Sequence, residues 1–227
     1  QSLMGDGDVL LQYAGDDPDS YPNIFDNAKT EVSEKDKKRL IEALETLNNS
    51  EAPESAVDTD SVIRYFTAHN FVLNFDSYTG SMIHNYYLYE QEGTLSMLPW
   101  DYNLAFGGFQ SAADAVSLIN YPIDTPVSGG TVEDRPMLAW IFSDAAYTDQ
   151  YHQYFSELIS GYFESGRFSA EIDAVTELIS PYVKEDPTKF CTFEEFEKGA
   201  DTLKEFCLLR AESVRNQLDG SIGRTAE

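Results

Sequence analysis

The chain has 227 residues, 40 acidic against 15 basic, for a formal net charge of −25, with 42% hydrophobic and 13% aromatic residues. That composition argues against disorder throughout, and the length gives ample core for one large domain or two small ones. The charge argues against nucleic acid and anionic lipid as partners, since both require basic patches, and no run of about 18 apolar residues is present to span a membrane. The acidic excess fits either attraction of basic substrates or divalent cations, or a solvated acidic surface. With no signal-like apolar region after Gln1, the chain reads as a mature piece or an excised domain.

Residues 1–30 are rich in Gly, Asp, Pro and Ser, and read as a loop-rich approach with one apolar run, Val9 to Tyr13, as a candidate strand. Gly5 to Asp8 (GDGD) looks like a piece of a calcium loop but lacks the remaining ligand spacing, so a turn is expected. Ser33 with Asp36 three residues on opens a helix whose buried stripe is Leu40, Ile41, Leu44 and Leu47, ending at Asn48-Asn49-Ser50. Asp60 is expected to cap a second, largely apolar helix carrying Val62, Ile63, Phe66, Asn70 and Leu73, which leads to Asp76. His84 to Glu90 and Thr94 to Pro99 read as a hairpin about a Gln91-Glu92-Gly93 turn.

Residues 110–134 read as irregular loops, with Pro122, Pro126 and Gly129-Gly130. Helices are then expected over Pro136 to Phe142, Asp149 to Phe163 and Ser169 to Val183. Thr192 with Glu195 caps a last one toward Leu218. The chain is read as one domain, 1–227, mainly α with a small β-hairpin: an approach segment (1–30), a catalytic core (31–109), irregular loops (110–134) and a helical part (135–220). Cys191 and Cys207 on one unbroken helix would be about 24 Å apart, too far for a disulfide, whereas a break at Gly199 would allow one.

The hairpin returns the chain to its start, so Asp76 before it and Asp101 after it flank one place. Hard divalent cations favour carboxylate and amide oxygens, which Asp101 and the nearby Asn74, Asn85 and Asn103 supply. In phosphoryl transfer one Asp orients the attacking hydroxyl and another holds the metal, and the order helix, Asp loop, hairpin, Asp matches the catalytic half of the protein-kinase fold. His84 has an alternative reading as a general base, weighed against a packed, hydrogen-bonded histidine, which is also the reading of His69. The aromatic group Tyr86, Tyr87, Tyr89 and Trp100 is read as core, with adenine stacking as the alternative. No nucleophile-elbow context surrounds any Ser.

The string HNYYLYEQEGTLSMLPWDYNLAFGG, preceded by NFDSYTG, resembles the CotH family of spore-coat and secreted atypical protein kinases, near-continuously from Tyr65 to Phe109 and more loosely over Ser20 to Asn27 and the C-terminal helices. The resemblance implies the C-lobe of an atypical kinase-like α+β fold. It places Asp76 at the catalytic Asp and Asp101 at the metal-binding Asp. Asn85 and Asn103 become either supporting metal ligands or structural residues of the hairpin and turn.

It further implies Mg²⁺ or Mn²⁺ with ATP, a Ser/Thr acceptor protein, and a bacterial cell-surface, extracellular or spore-coat location. The family's basic, strand-rich N-terminal lobe is not recognisable here. No Gly-rich phosphate loop precedes Lys29, Lys35, Lys37 and Lys38, so no cofactor-binding residues are assigned. The chain is therefore expected to be the C-terminal lobe of a longer polypeptide and inactive alone. A non-catalytic surface or coat-assembly module is the alternative, and a metal-free glycosidase using the Asp pair ranks last.

Overall fold

The computed structural model describes residues 7–49, 52–109 and 114–226. The expected elements are mainly present. Among the described residues the order is α1 (Pro22–Phe25), α2 (Glu34–Asn48), α3 (Thr59–Phe71), β1 (Tyr86–Gln91), β2 (Thr94–Pro99), α4 (Ala115–Ile119), α5 (Pro136–Ser143), α6 (Ala145–Leu158), α7 (Arg167–Glu185) and α8 (Phe193–Leu218). The fold is mainly α with one two-stranded antiparallel sheet.

Local chemistry sets the helix starts. Ser33 and Asp36 exchange side-chain and backbone hydrogen bonds in a complete capping box, and Thr192 and Glu195 do the same for α8. At α3 the expected cap is two residues late. Asp58, not Asp60, accepts from the Ser61 backbone N–H, and Asp60 sits in the first turn, paired with Arg64 and accepting from the Tyr154 hydroxyl. α6 also starts earlier than expected, because the Asp144 carboxylate caps it by accepting from Ala146 N–H. Its end continues as a π-helical stretch, Ile159–Glu164. Within the irregular region, α4 is a short helix that the sequence pattern did not disclose.

The anticipated α2 stripe is buried, with Leu44 fully so, and Phe66 of α3 is fully enclosed as well. Burying each such side chain contributes about 2 kcal/mol. α3 is the central helix, packed against α6, α5 and β2, while α2 covers α5. Edge-on aromatic pairs Phe142–Tyr151 and Trp140–Tyr147 lock α6 to α5. The buried Arg210 guanidinium donates to the carbonyls of Ile119, Tyr121 and Asn70, fastening α8 to α3 and to the irregular segment between them.

β1 and β2 pair from Tyr86↔Pro99 to Gln91↔Thr94. Glu92 and Gly93 form the two-residue turn, both with positive φ (54° and 92°), which gives the type I′ sense that suits a twisted hairpin. His84 and Asn85 fall just outside β1, because Ile83 and Asn85 adopt positive φ and break the extended run. The hairpin is tied to the body by Leu95, whose backbone bonds both Ala56 and Asp58, and by Arg39, which holds Glu90 at 2.7 Å. Tyr86 and Tyr78 hydroxyls donate to Val9 and Leu10 carbonyls, so the approach segment packs as a turn rather than a strand. Asp8 caps Val9 and Asn23 backbone N–H groups, the turn role expected for it; Gly5 and Asp6 lie outside the described residues.

Both cysteines are free. α8 runs unbroken through Gly199, so Cys191 before it and Cys207 within it stay apart. Among the described residues no helix is long and apolar enough to cross a membrane.

Candidate active site

α3 ends at Phe71, and Leu73 then turns left-handed (φ 50°) to swing Asn74 to Gly80 into a compact loop. Gly80 N–H closes a turn onto Ser77 O at 3.0 Å. A Cβ at Gly80 would lie 1.7 Å from the Phe75 carbonyl oxygen, so only glycine fits. The loop is held from behind by Arg135, buried to 2% exposure, which donates to the carbonyls of Tyr78 (2.8 Å), Gly80 (2.9 Å) and Gly129 (2.6 Å). A guanidinium fork suits several acceptors at fixed angles. Burial lowers the Arg135 pKa, and it is the carbonyl dipoles that compensate the cation.

On this loop Asp76 is 5% exposed. Asn85 donates its amide N–H to Asp76 Oδ2 at 3.0 Å, and the left-handed conformation of Asn85 (φ 52°) aims it there. Ser77 Oγ donates to the Asn85 carbonyl and closes the unit. His84 Nε2 lies 2.7 Å from Asp76 Oδ1, within ion-pair range but off hydrogen-bond alignment, so Oδ1 keeps lone pairs for a further donor. His84 is thus attached to Asp76. Asn74, fully buried two residues upstream, has both amide atoms without a hydrogen-bond partner. Buried polar atoms left in this state cost about 1–3 kcal/mol each and mark a place where a water, ion or ligand belongs.

Asp101 lies two residues beyond Pro99, at the open end of the hairpin, whose last pair is Tyr86↔Pro99. It is left-handed too (φ 53°), exposed, and among the described residues makes no side-chain hydrogen bond or ion pair. Holding a non-glycine residue there costs roughly 1–2 kcal/mol, a strain found preferentially at functional sites. The segment after Asp101 is laced to the one before Asp76. Phe106 N–H donates to Val72 O, Gly107 N–H to Leu73 O at 3.1 Å, and the Tyr102 hydroxyl lies 2.8 Å from His69 Nδ1.

His69, expected to be packed, is fully buried, stacked on Tyr65, and its pKa is pushed down to about 3 by burial. The structure therefore brings Asp76, His84 and Asn85 into direct contact and sets Asp101 at the same hairpin end. Asn103 lies exposed on the short 3₁₀ turn Tyr102–Leu104 and bonds neither carboxylate. Of the aromatic group, Trp100 (54%) and Tyr89 (49%) are exposed rather than core, because the outer face of the hairpin is uncovered.

Among the described residues, no three His, Cys, Asp or Glu side chains converge on a metal-sized point. The oxygens left at this hairpin end are hard ones: exposed Asp101, and Asn85 Oδ1, left over once its nitrogen serves Asp76. Such a set suits Mg²⁺ or Mn²⁺ completed by water and phosphate, not zinc. One contributor, Arg135, had no signal in the sequence, and a second, Asn74, was legible only as a nearby amide. Arg135 acts through backbone carbonyls, and the unpaired state of Asn74 appears only once its surroundings are folded.

The model of the CotH kinase protein family matches residues 5–214. Inner spore coat protein H of Bacillus subtilis (strain 168) is 25% identical over 168 residues, which cover 71% of this chain and 42% of that relative. The chain therefore spans less than half the length of the curated relative it matches. No solved structure matches it. With the family model covering nearly its whole length and the two aspartate segments in place, the chain belongs to the CotH family.

Proposed function

We propose that the polypeptide carrying this chain transfers the ATP γ-phosphate to Ser or Thr hydroxyls of a spore-coat or cell-surface protein, and that this chain is its kinase-like C-terminal lobe. The observation that carries the reading is the pairing of a buried, loop-fixed Asp76 with an exposed, unpartnered Asp101 at one hairpin end. Asp76, held by Asn85 and flanked by His84, would orient the acceptor hydroxyl and take its proton on Oδ1.

Asp101 and the Asn85 amide oxygen would hold Mg²⁺ or Mn²⁺, which when bound neutralises phosphate charge. Asn103, exposed beside Asp101, is retained only as a ligand that could reach in on binding. Spore-coat association comes from the name of the relative, inner spore coat protein H.

The test is transfer of labelled γ-phosphate to a Ser/Thr-rich acceptor with Mg²⁺ or Mn²⁺. It is run with this chain and with the longer polypeptide, each beside Asp76→Asn and Asp101→Asn. The reading expects transfer by the longer wild type, lost in both variants with melting temperatures unchanged. Transfer that survives Asp101→Asn would overturn it. A second reading, a non-catalytic coat-assembly module, is favoured by that same name, and it expects no ATP dependence and tolerance of both substitutions.

A further inference from the structure

Besides the backbone bonds from Phe106 and Gly107, one side chain joins the two aspartate segments. His69 projects from α3 between them, fully buried, with Nδ1 2.8 Å from the Tyr102 hydroxyl and Nε2 2.9 Å from Thr79 Oγ1. Tyr102 directly follows Asp101, and Thr79 lies three residues after Asp76 on the same loop. Thr79 Oγ1 also reaches the Asn74 carbonyl at 3.5 Å.

Each ring nitrogen thus has a hydroxyl partner, one donating to the ring and the other accepting from it. The ring is neutral, because burial without a charged partner pushes its pKa down to about 3. Tyr65, stacked on the ring at 5.3 Å, and Phe66, edge-on at 6.2 Å, leave it no room to turn.

We propose that His69 is a positioning residue whose ring fixes the spacing of the Asp76 loop from the Asp101 turn, and so sets the geometry in which Asp101 and Asn85 would hold one divalent cation with the Asp76 carboxylate beside it. The functional half of this rests on the phosphoryl-transfer reading; the coupling itself does not. Both carboxylates sit on backbone that would otherwise relax, since Leu73 and Asp101 are both left-handed non-glycine residues. A rigid strut between them keeps that backbone from relaxing. Outer partners of this kind typically change metal affinity by about 10–100-fold.

The experiment uses two near-isosteric variants that each remove one hydroxyl partner of the ring, Tyr102→Phe and Thr79→Val, with their double variant, in place of removing His69 from the core. Backbone amide resonances are recorded first, without metal or nucleotide. Coupling predicts that Tyr102→Phe moves the signals of 74–79 and Thr79→Val moves those of 101–105. Shifts confined to the substituted segment would overturn the proposal.

Mn²⁺ affinity in the presence of ATP is measured next, by electron paramagnetic resonance on the longer polypeptide. Each single variant should weaken it about tenfold, and the double variant little further, because the second cut falls on a link already broken. Unchanged affinity, or two losses that simply add, would also overturn it. If wild type binds no Mn²⁺, the phosphoryl-transfer reading fails and the role in cation geometry fails with it, while the amide shifts still decide the coupling.

Discussion

Removal of Arg135 tests how the Asp76 loop is held. Arg135→Met keeps most of the side-chain volume and deletes the guanidinium. Three carbonyl acceptors, on Tyr78, Gly80 and Gly129, lose their donor in places the side chain itself had closed to water. Each stranded acceptor costs about 1 kcal/mol or more. Relief of the burial penalty on the cation, visible in its lowered pKa, returns part of this. The net loss is about 2–3 kcal/mol, a large fraction of the ~5–15 kcal/mol that a domain of this kind has.

Arg135→Lys keeps the charge but reaches fewer acceptors, and should fall between the two. Urea unfolding followed by circular dichroism gives the stability. Native-state hydrogen exchange over 74–80 shows whether the loss is centred on this loop. Arg135→Met within about 0.5 kcal/mol of wild type, with unchanged protection over 74–80, would refute the assignment of the loop's rigidity to Arg135.

Two further outcomes follow from buried groups. His69 is neutral and its folded pKa is depressed to about 3, so the unfolded chain binds more protons below the ordinary value of 6.5. Its contribution is fully present above about pH 6.5 and is lost as pH falls toward about 3, on the order of 5 kcal/mol across that window. The stability difference between wild type and His69→Gln should therefore shrink on acidification through that range. A difference independent of pH would contradict a neutral buried ring. Cys207 is buried and its thiol is pushed up to about 12, so a disulfide reagent should titrate Cys191 alone in the native protein and both thiols in urea; rapid native reaction at Cys207 would place it elsewhere.

Much of the frame was legible because it is written in local code. The Ser33–Asp36 and Thr192–Glu195 boxes, the α2 stripe and the bounds of β2 depend on residues a few positions apart. Errors arose where two local solutions compete. Asp58 and Asp60 are both competent caps, and what decides is that Leu95 already holds the Asp58 backbone. His84 and Asn85 looked like strand residues by composition, but left-handed backbone at Ile83 and Asn85 removes them from the ladder and turns them to Asp76.

The two aspartates were legible as a pair because a hairpin must return. What holds them was not. Arg135 binds carbonyls, which every residue has, and the partners of His69 lie 10 and 33 residues away. Such links exist only in three dimensions.

The central claim is that Asp76 and Asp101 serve one site, with a divalent cation on Asp101 and Asn85 and the Asp76 carboxylate beside it. The direct measurement is paramagnetic broadening of amide signals by substoichiometric Mn²⁺ with ATP, in the longer polypeptide, comparing wild type with Asp101→Asn. The account predicts that 76, 85 and 101 broaden together at low Mn²⁺, ahead of the remaining acidic surface, and that Asp101→Asn removes the effect at all three. Broadening spread over surface carboxylates, or confined to 101 with 76 and 85 untouched, would contradict it.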